Sequence, residues 1–381
     1  MQLTPEHDAF RASVRRFVDE RINPHADEWE QAGMMPLHQI FKEMADLGML
    51  GLEYDPAYGG QGADPSFTMV LSEEMGHCSL GAFGMALGVQ VAMATPSLHE
   101  HGSDELKSEY LAPAMRGEMV AAIGVTEPDA GSDVAGIRTR ARRDGDDWVI
   151  NGSKMYITNS LQADWICTLV RTSDEGGHRG MSQIIVPTDT PGFSVAKKLD
   201  KLGMRASDTG LLSFDEVRVP VRNTVGEVGR GFQQQMVQFV IERTWAVFYT
   251  YVGCAEALER TKAYAQQRSV FGAPLAANQY LQYTYAELAA EVDLLRQYSH
   301  AIVEAMMAGE VPTRMATIAK YKSGRLARQV SDWCMQVHGG IGYIEETWTA
   351  RFLRDMRLQS IGGGADEVML RVLSSMDGFV G

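Results

Sequence analysis

Gly124-Val125-Thr126-Glu127-Pro128-Asp129-Ala130-Gly131-Ser132-Asp133 gathers small hydroxylated residues, three acids and two glycines around one proline. Such a turn presents backbone N–H groups and hydroxyls rather than filling a core, and it suits a flat, polar, hydrogen-bonding ligand. Other chemistry-bearing residues stand far from it. Glu242-Arg243 interrupts the apolar residues Phe239, Val240, Ile241, Trp245 and Val247, Arg268 precedes Ser269-Val270-Phe271-Gly272, and Gly339-Gly340 follow Gln336-Val337-His338. Taken alone, Glu242-Arg243 reads as a solvated helical pair, Arg268 as a solvated charge and the two glycines as a helix cap. Cys78, Cys167, Cys254 and Cys334 are widely separated, with no Cys-x-x-Cys and no Cys/His metal spacing, so buried free thiols and no metal are expected.

The elements that hold these residues follow from periodicity. Thr4-Pro5 ahead of Phe10, Val14, Phe17 and Val18 reads as a capped amphipathic helix stopped by Asn23-Pro24. Residues 40–50, 65–76, 81–98 and 103–115 also read as helical, with Tyr58-Gly59-Gly60-Gln61-Gly62 as a loop. From about 121 the pattern shifts to short β-type runs at 147–150, before an Asn151-Gly152 turn, and at 165–170, 183–186 and 211–214. After Gly229-Arg230-Gly231, long helical patterns return at 232–268, 277–308 and 313–338, followed by shorter ones near 345–353 and 366–376. The expected fold class is α+β, with an N-terminal α-helical domain (1–120), a middle β-barrel domain (121–228) and a C-terminal four-helix bundle (229–381).

Composition narrows the partners. With 381 residues, 45% of them hydrophobic and 22% charged, the chain has ample material for a core divided among two or three subdomains. A formal net charge of −14 works against nucleic acid and anionic membranes, and no basic run offsets it. No membrane-spanning stretch is expected, and the polar N-terminus is unlike a signal peptide, which gives a cytoplasmic reading. The 22 methionines are expected mainly in irregular core gaps.

The α–β–α order and the run at 124–133 resemble the acyl-CoA dehydrogenase family of flavoproteins over essentially the whole chain. Tyr156-Ile157-Thr158-Asn159, Arg268-Ser269-Val270-Phe271-Gly272, Gln336-Val337-His338-Gly339-Gly340-Ile341-Gly342-Tyr343 and Arg354-Asp355 before a glycine loop carry the likeness in the same order. The resemblance implies an FAD-dependent enzyme of fatty acid metabolism that removes hydrogens from the α and β carbons of an acyl-CoA thioester and passes electrons to an electron-transferring flavoprotein. It places Thr126, with the neighbouring backbone of Val125 and Gly131, at the pyrimidine edge of the flavin. Thr158 faces N5, Tyr156 stacks near the ring, and Ser132 lies at the pyrophosphate and the substrate entrance. Arg268, Phe271, Asn278, Gln279, Gln336, Gly339 and Gly340 match positions that hold the ADP half across a subunit interface, which implies a homo-oligomer, usually a tetramer.

Many family members carry the catalytic base as a Glu in a loop near the C-terminus. Here that loop is Gly362-Gly363-Gly364-Ala365, and Gly363 stands at the Glu position. The likeness to isovaleryl- and long-chain acyl-CoA dehydrogenases moves the base to Glu242, on a helix just before Arg243. Apolar flanks raise a carboxyl's pKa toward the range of a general base, and Arg243 orients it or tempers the rise. Gly363 keeps the backbone N–H that stabilises charge on the thioester oxygen, while the proton passes to Glu242. Gly362, Gly363 and Gly364 widen the pocket, and the run at 361–369 resembles that of citronellyl-CoA dehydrogenases. Ala365 replaces a cofactor-bonding Thr, Asp366-Glu367 puts two acids near an anionic ligand, and Val240 stands where some members carry an acid near the pantetheine arm. Substrate contacts are thus expected at Ser132, Val240, Arg243, Gly362 and Gly363. Alternatives on the same fold are a dehydrogenase of carrier-protein thioesters, a flavin monooxygenase or oxidase, and a flavin-binding protein without dehydrogenase activity.

Overall fold

A computed structural model describes residues 1–379. The N-terminal part is helical, built around Pro5–Phe17, Leu37–Asp46, Pro65–Met75 and Gly81–Gly88. Pro5 opens the first helix, where the Thr4 backbone N–H donates to His7 Nδ1 at 3.2 Å. Asp64 caps the Pro65–Met75 helix by accepting from the Ser66 N–H at 2.8 Å. The helical run Gly81–His101 is long and apolar enough to cross a membrane, contrary to the sequence expectation. It is mostly buried, however, and serves as a core helix.

Eight strands follow: β1 (Ala121–Gly124), β2 (Arg140–Asp144), β3 (Asp147–Thr158), β4 (Trp165–Arg171), β5 (Met181–Pro187), β6 (Phe193–Lys198), β7 (Thr209–Pro220) and β8 (Thr224–Val225). They form one sheet in the order β6-β7-β3-β2-β4-β5-β8, with β1 added parallel to β4. Asn151-Gly152 is not the expected turn. It lies inside the continuous strand β3 at a register shift against β7, and Gly152 takes φ +145 where a Cβ would collide with Thr139. Strands β1, β2, β6 and β8 have no counterpart in the expected runs: β2 is charged and mostly exposed, β6 has only Phe193 and Val195 in apolar alternation, and β8 is two residues long.

The C-terminal part is helical: Gly231–Gln267, Gln279–Met307 and Thr313–His338, then the shorter Trp348–Met356 and Asp366–Met376. The 37-residue helix Gly231–Gln267 passes between the domains. Its Trp245, Ala246 and Tyr249 belong to the N-terminal core with Phe83, Ala86 and Leu87. Its Tyr251, Cys254 and Leu258 belong to the C-terminal core with Ile302, Leu326 and Val330. Gly88 permits the first contact, since a Cβ there would lie 2.3 Å from Trp245 Nε1, and the Trp245 indole donates to Gly84 O at 2.9 Å.

One carboxylate joins all three parts. Asp355, 3% exposed at the end of Trp348–Met356, accepts from the Gly81 N–H at 3.2 Å and from the Met204 N–H at 2.5 Å. Burial, with Glu30 nearby, pushes it up to about 7, against the Met204 N–H and the charges of Arg351 and Arg354. Cys78 is half-buried rather than buried, while Cys167, Cys254 and Cys334 are buried as expected.

Candidate active site

The turn that follows β1 is fixed from behind by a buried ion pair. Lys154, fully buried on β3, donates to Val125 O and to Glu127 Oε1, both at 2.9 Å. Glu127 also accepts from the backbone N–H groups of Thr139 (2.9 Å) and Arg138 (2.6 Å). Burial acts to lift the Glu127 carboxyl, but Lys154 and these donors outweigh it and hold it below its usual value. Burial pushes Lys154 down to about 8, so the pair is charged at neutral pH.

With its back satisfied, the turn keeps its front open. Thr126 O accepts from the Met155 N–H at 2.8 Å, which draws the turn against β3 beside Tyr156. Tyr156 is 62% exposed and sits at φ +63 within the second register shift of β3, a strained backbone state that lifts the ring off the sheet. Thr126 and Thr158 are partly exposed and Ser132 is exposed, whereas Val125 is buried and offers backbone only. At Gly131 a Cβ would touch only Thr126 Cγ2, at 3.7 Å, so backbone is accessible there. An exposed aromatic face beside hydroxyls and open backbone fits a planar heteroaromatic group with polar edges, as the isoalloxazine ring has.

The same turn is packed against the long helix that carries Glu242. Phe232 and Phe239 of that helix pack on the cluster of Val125, Ala130, Ile137, Leu169 and Met181. Gln235 Oε1 accepts from Gln183 Nε2 of β5 at 2.9 Å, fixing the helix against the sheet. Glu242 is therefore held less than one helical turn beyond a residue that touches the turn's own core.

Glu242 and the glycine loop meet at one point. Gly363 takes φ +67, and a Cβ built on it would lie 3.2 Å from Glu242 Oε1 and 3.4 Å from Lys320 Cε. A side chain on Gly363 and the carboxylate of Glu242 thus reach the same space from opposite walls. Burial raises the proton affinity of Glu242 above that of an ordinary carboxyl, partly opposed by the charges of Arg243 and Lys320. Arg243, 9% exposed, donates from Nε to Gly363 O at 3.3 Å and lies over the Phe239 ring at 5.6 Å. Burial lowers its own pKa, with Glu242 acting against that fall. Gly362, Gly364 and Ala365 are partly exposed, and a Cβ on Gly364 would strike Met369 Cε at 2.4 Å. Ala365 is the N-cap of the helix Asp366–Met376, Glu367 is exposed in its first turn, and Val240 is 2% exposed and presents almost no surface to a ligand.

The residues expected at the ADP half lie open at the surface. Arg268, Phe271, Asn278, Gln279, Gln336, Gly339 and Gly340 are all exposed, and Phe271 reaches 105%. Asn278 caps the Gln279–Met307 helix by accepting from the Tyr280 N–H at 3.0 Å, and Gln279 Nε2 donates to the Tyr283 hydroxyl at 2.5 Å. A Cβ on Gly339 or Gly340 would meet nothing within 4 Å. A cavity of about 270 Å³ lined by Met75, Cys78, Tyr249, Trp348 and Asp355 lies elsewhere and includes neither Glu242 nor the turn.

Three segments match the family's domains: residues 4–118 the acyl-CoA dehydrogenase N-terminal domain, 122–217 the middle domain and 229–375 the C-terminal domain. The chain belongs to the acyl-CoA dehydrogenase family. It is an oxidoreductase of that family, 34% identical over 371 residues to the long-chain specific acyl-CoA dehydrogenase of Rattus norvegicus, covering 97% of this chain and 86% of that protein. The acyl-CoA dehydrogenase structure from Geobacillus kaustophilus matches with a TM-score of 0.94 and 35% identity over 98% of each chain. A Mycobacterium smegmatis glutaryl-CoA dehydrogenase in complex with FADH2 matches with a TM-score of 0.91 and 31% identity, over 99% of this chain and 95% of that one. Long-chain and glutaryl specificities share this fold, so overall likeness leaves the acyl group open.

Two residues that shape this site escaped the sequence reading: Lys154 and Lys320. A signal for Lys320 existed. It falls at helical spacing between Ala316 and Gly324, among the buried small residues Ala319, Ser323 and Ala327, where a lone lysine has no reason to be unless something pairs with it.

Proposed function

We propose that the protein oxidises an acyl-CoA thioester to the trans-2-enoyl-CoA with FAD as cofactor and Glu242 as the base. The convergence of Glu242 Oε1 on the space beside Gly363 carries this reading, because the family's usual loop acid is replaced by glycine at that point. FAD, when bound, supplies the hydride acceptor, and Thr126, Thr158, Tyr156 and the backbone of Val125 and Gly131 are the residues that would hold its ring. Glu242 takes the α-proton. Its raised proton affinity brings it closer to that of the carbon acid than a solvated carboxylate would be. The Gly363 N–H donates to the thioester oxygen as charge develops there, and its carbonyl is held by Arg243. Glycine suits this double duty, since φ +67 is open to it without strain.

The exposed faces of Phe271, Tyr280, Tyr283 and Tyr343 support a homo-oligomer, a tetramer by family likeness, in which a second copy brings Arg268, Gln336 and Gly340 to the ADP half. An electron-transferring flavoprotein as acceptor, the isovaleryl- or long-chain-like branch and a cytoplasmic location belong to the same proposal.

The test is anaerobic mixing of the FAD-loaded protein with butyryl-, octanoyl-, palmitoyl-, isovaleryl- and citronellyl-CoA. At least one thioester should bleach the flavin, and Glu242→Gln should slow that bleaching by about a thousandfold with FAD retained. The rate should rise with pH through a limb above the ordinary carboxylate range, because Glu242 must be ionised to accept the proton. Bleaching by Glu242→Gln at the wild-type rate would remove Glu242 from the mechanism.

A further inference from the structure

Lys320 lies on Thr313–His338 and is 1% exposed. Its Nζ donates to Gln359 O at 2.5 Å and to Gly364 O at 3.4 Å, two carbonyls that bracket the loop. Its Cε and Glu242 Oε1 stand within 3.4 Å of the same point above Gly363. Gln359 is itself fixed, donating from Nε2 to the buried Tyr249 hydroxyl at 2.5 Å. The ammonium has no carboxylate partner within ion-pair distance among the described residues.

We propose that Lys320 is a positioning residue for the reaction, anchoring the glycine loop and holding a positive charge beside the base. The proposal rests on Glu242 being that base. A lysine in so dry a place would normally be eliminated or paired, because burial opposes its charge. Here two carbonyls accept its protons, and the charge is left to act on Glu242. Burial pushes Lys320 down to about 8 and Arg243 adds to that fall, while Asp366 and Glu242 pull it up and the two carbonyl acceptors favour the ammonium form. Other groups around the pair are Arg243 on the helix of Glu242, Tyr249 two turns further along, and Asp366 with Arg328 at 3.6 Å. Arg243 and Lys320 both lower the proton affinity of Glu242, so without Lys320 more of the base would be protonated at neutral pH.

The experiment compares wild type with Lys320→Met, Lys320→Gln, Lys320→Arg and Asp366→Asn as full-length, FAD-loaded proteins. Flavin reduction by the fastest thioester of the panel is followed against pH. In the FAD-free proteins, the Glu242 carboxyl is titrated by infrared difference against Glu242→Gln. Lys320→Met and Lys320→Gln should move the acid limb and the infrared titration up by about one pH unit, slowing reduction about tenfold on the acid side. Lys320→Arg should restore the wild-type limb. Asp366→Asn keeps Lys320 in place and touches an acid whose Oδ1 has no hydrogen-bond partner, so it should fold. It weakens the support for the lysine's charge and should move the limb the same way by less. A limb that stays put in whichever of Lys320→Met, Lys320→Gln and Asp366→Asn folds overturns the proposal. If Glu242→Gln instead reduces flavin at the wild-type rate, it is the assignment of the base that fails.

Discussion

Lys154 stands behind the turn at 124–133 and Lys320 behind the loop at 362–365, and burial pushes both ammonium groups down to about 8. Their surroundings differ in one respect. Lys154 faces a carboxylate that also accepts two backbone N–H groups, so Glu127 has little capacity left and the turn is locked. Lys320 faces carbonyls, and the nearby acid, Glu242, makes no hydrogen bond to it. A buried lysine therefore acts as scaffold where its countercharge is saturated, and as a local field where the acid is free to change its protonation. The wall that positions a ligand needs the first. A carboxylate that must gain and lose a proton needs the second.

Removing Lys154 should have the largest effect on stability. Lys154→Met strands Glu127 in a buried site and should destabilise the protein by about 3–5 kcal/mol in urea unfolding, with loss of FAD. A loss below about 1 kcal/mol would erase the contrast between the two lysines. Next comes relocation of the acid. Glu242→Gly combined with Gly363→Glu should recover flavin reduction by about a hundredfold over Glu242→Gly alone, because both positions reach one point. No recovery would show that the loop and the helix do not address a common reacting atom. The smallest effect is expected from Gly363→Ala. Its Cβ meets Glu242 Oε1 at 3.2 Å on a backbone at φ +67, which should cost about 1–2 kcal/mol and slow reduction without releasing FAD.

The residues differ in how plainly the sequence announced them. The long C-terminal helices follow from their periodicity, and the last was expected at 366–376 where Asp366–Met376 is observed. The exposed strand β2 was invisible because its run Arg-Ala-Arg-Arg-Asp holds one apolar residue among charges, and β6 because its apolar alternation stops after Phe193 and Val195. Asn151-Gly152 misled because the dipeptide that favours a hairpin also serves a bulge, and only the pairing partner, β7, decides between them. Glu242 was found through likeness and the missing loop acid, since its own neighbourhood reads as an ordinary helix. Lys154 was hidden because its partner Glu127 is 27 residues away in sequence, and Lys320 because the carbonyls it bonds belong to a loop 39 and 44 residues further on.

Asp355 sets a schedule for the chain as it is made. The N–H groups of Gly81 and Met204 belong to parts that leave the ribosome first, yet their acceptor arrives only after residue 355 has emerged. Until then the faces that dock around Gly81 and Met204 lack the carboxylate that satisfies both donors. A chain stopped before residue 355 would still hold the joints made by the Gly231–Gln267 helix, but the N–H groups of Gly81 and Met204 would be left without their common acceptor.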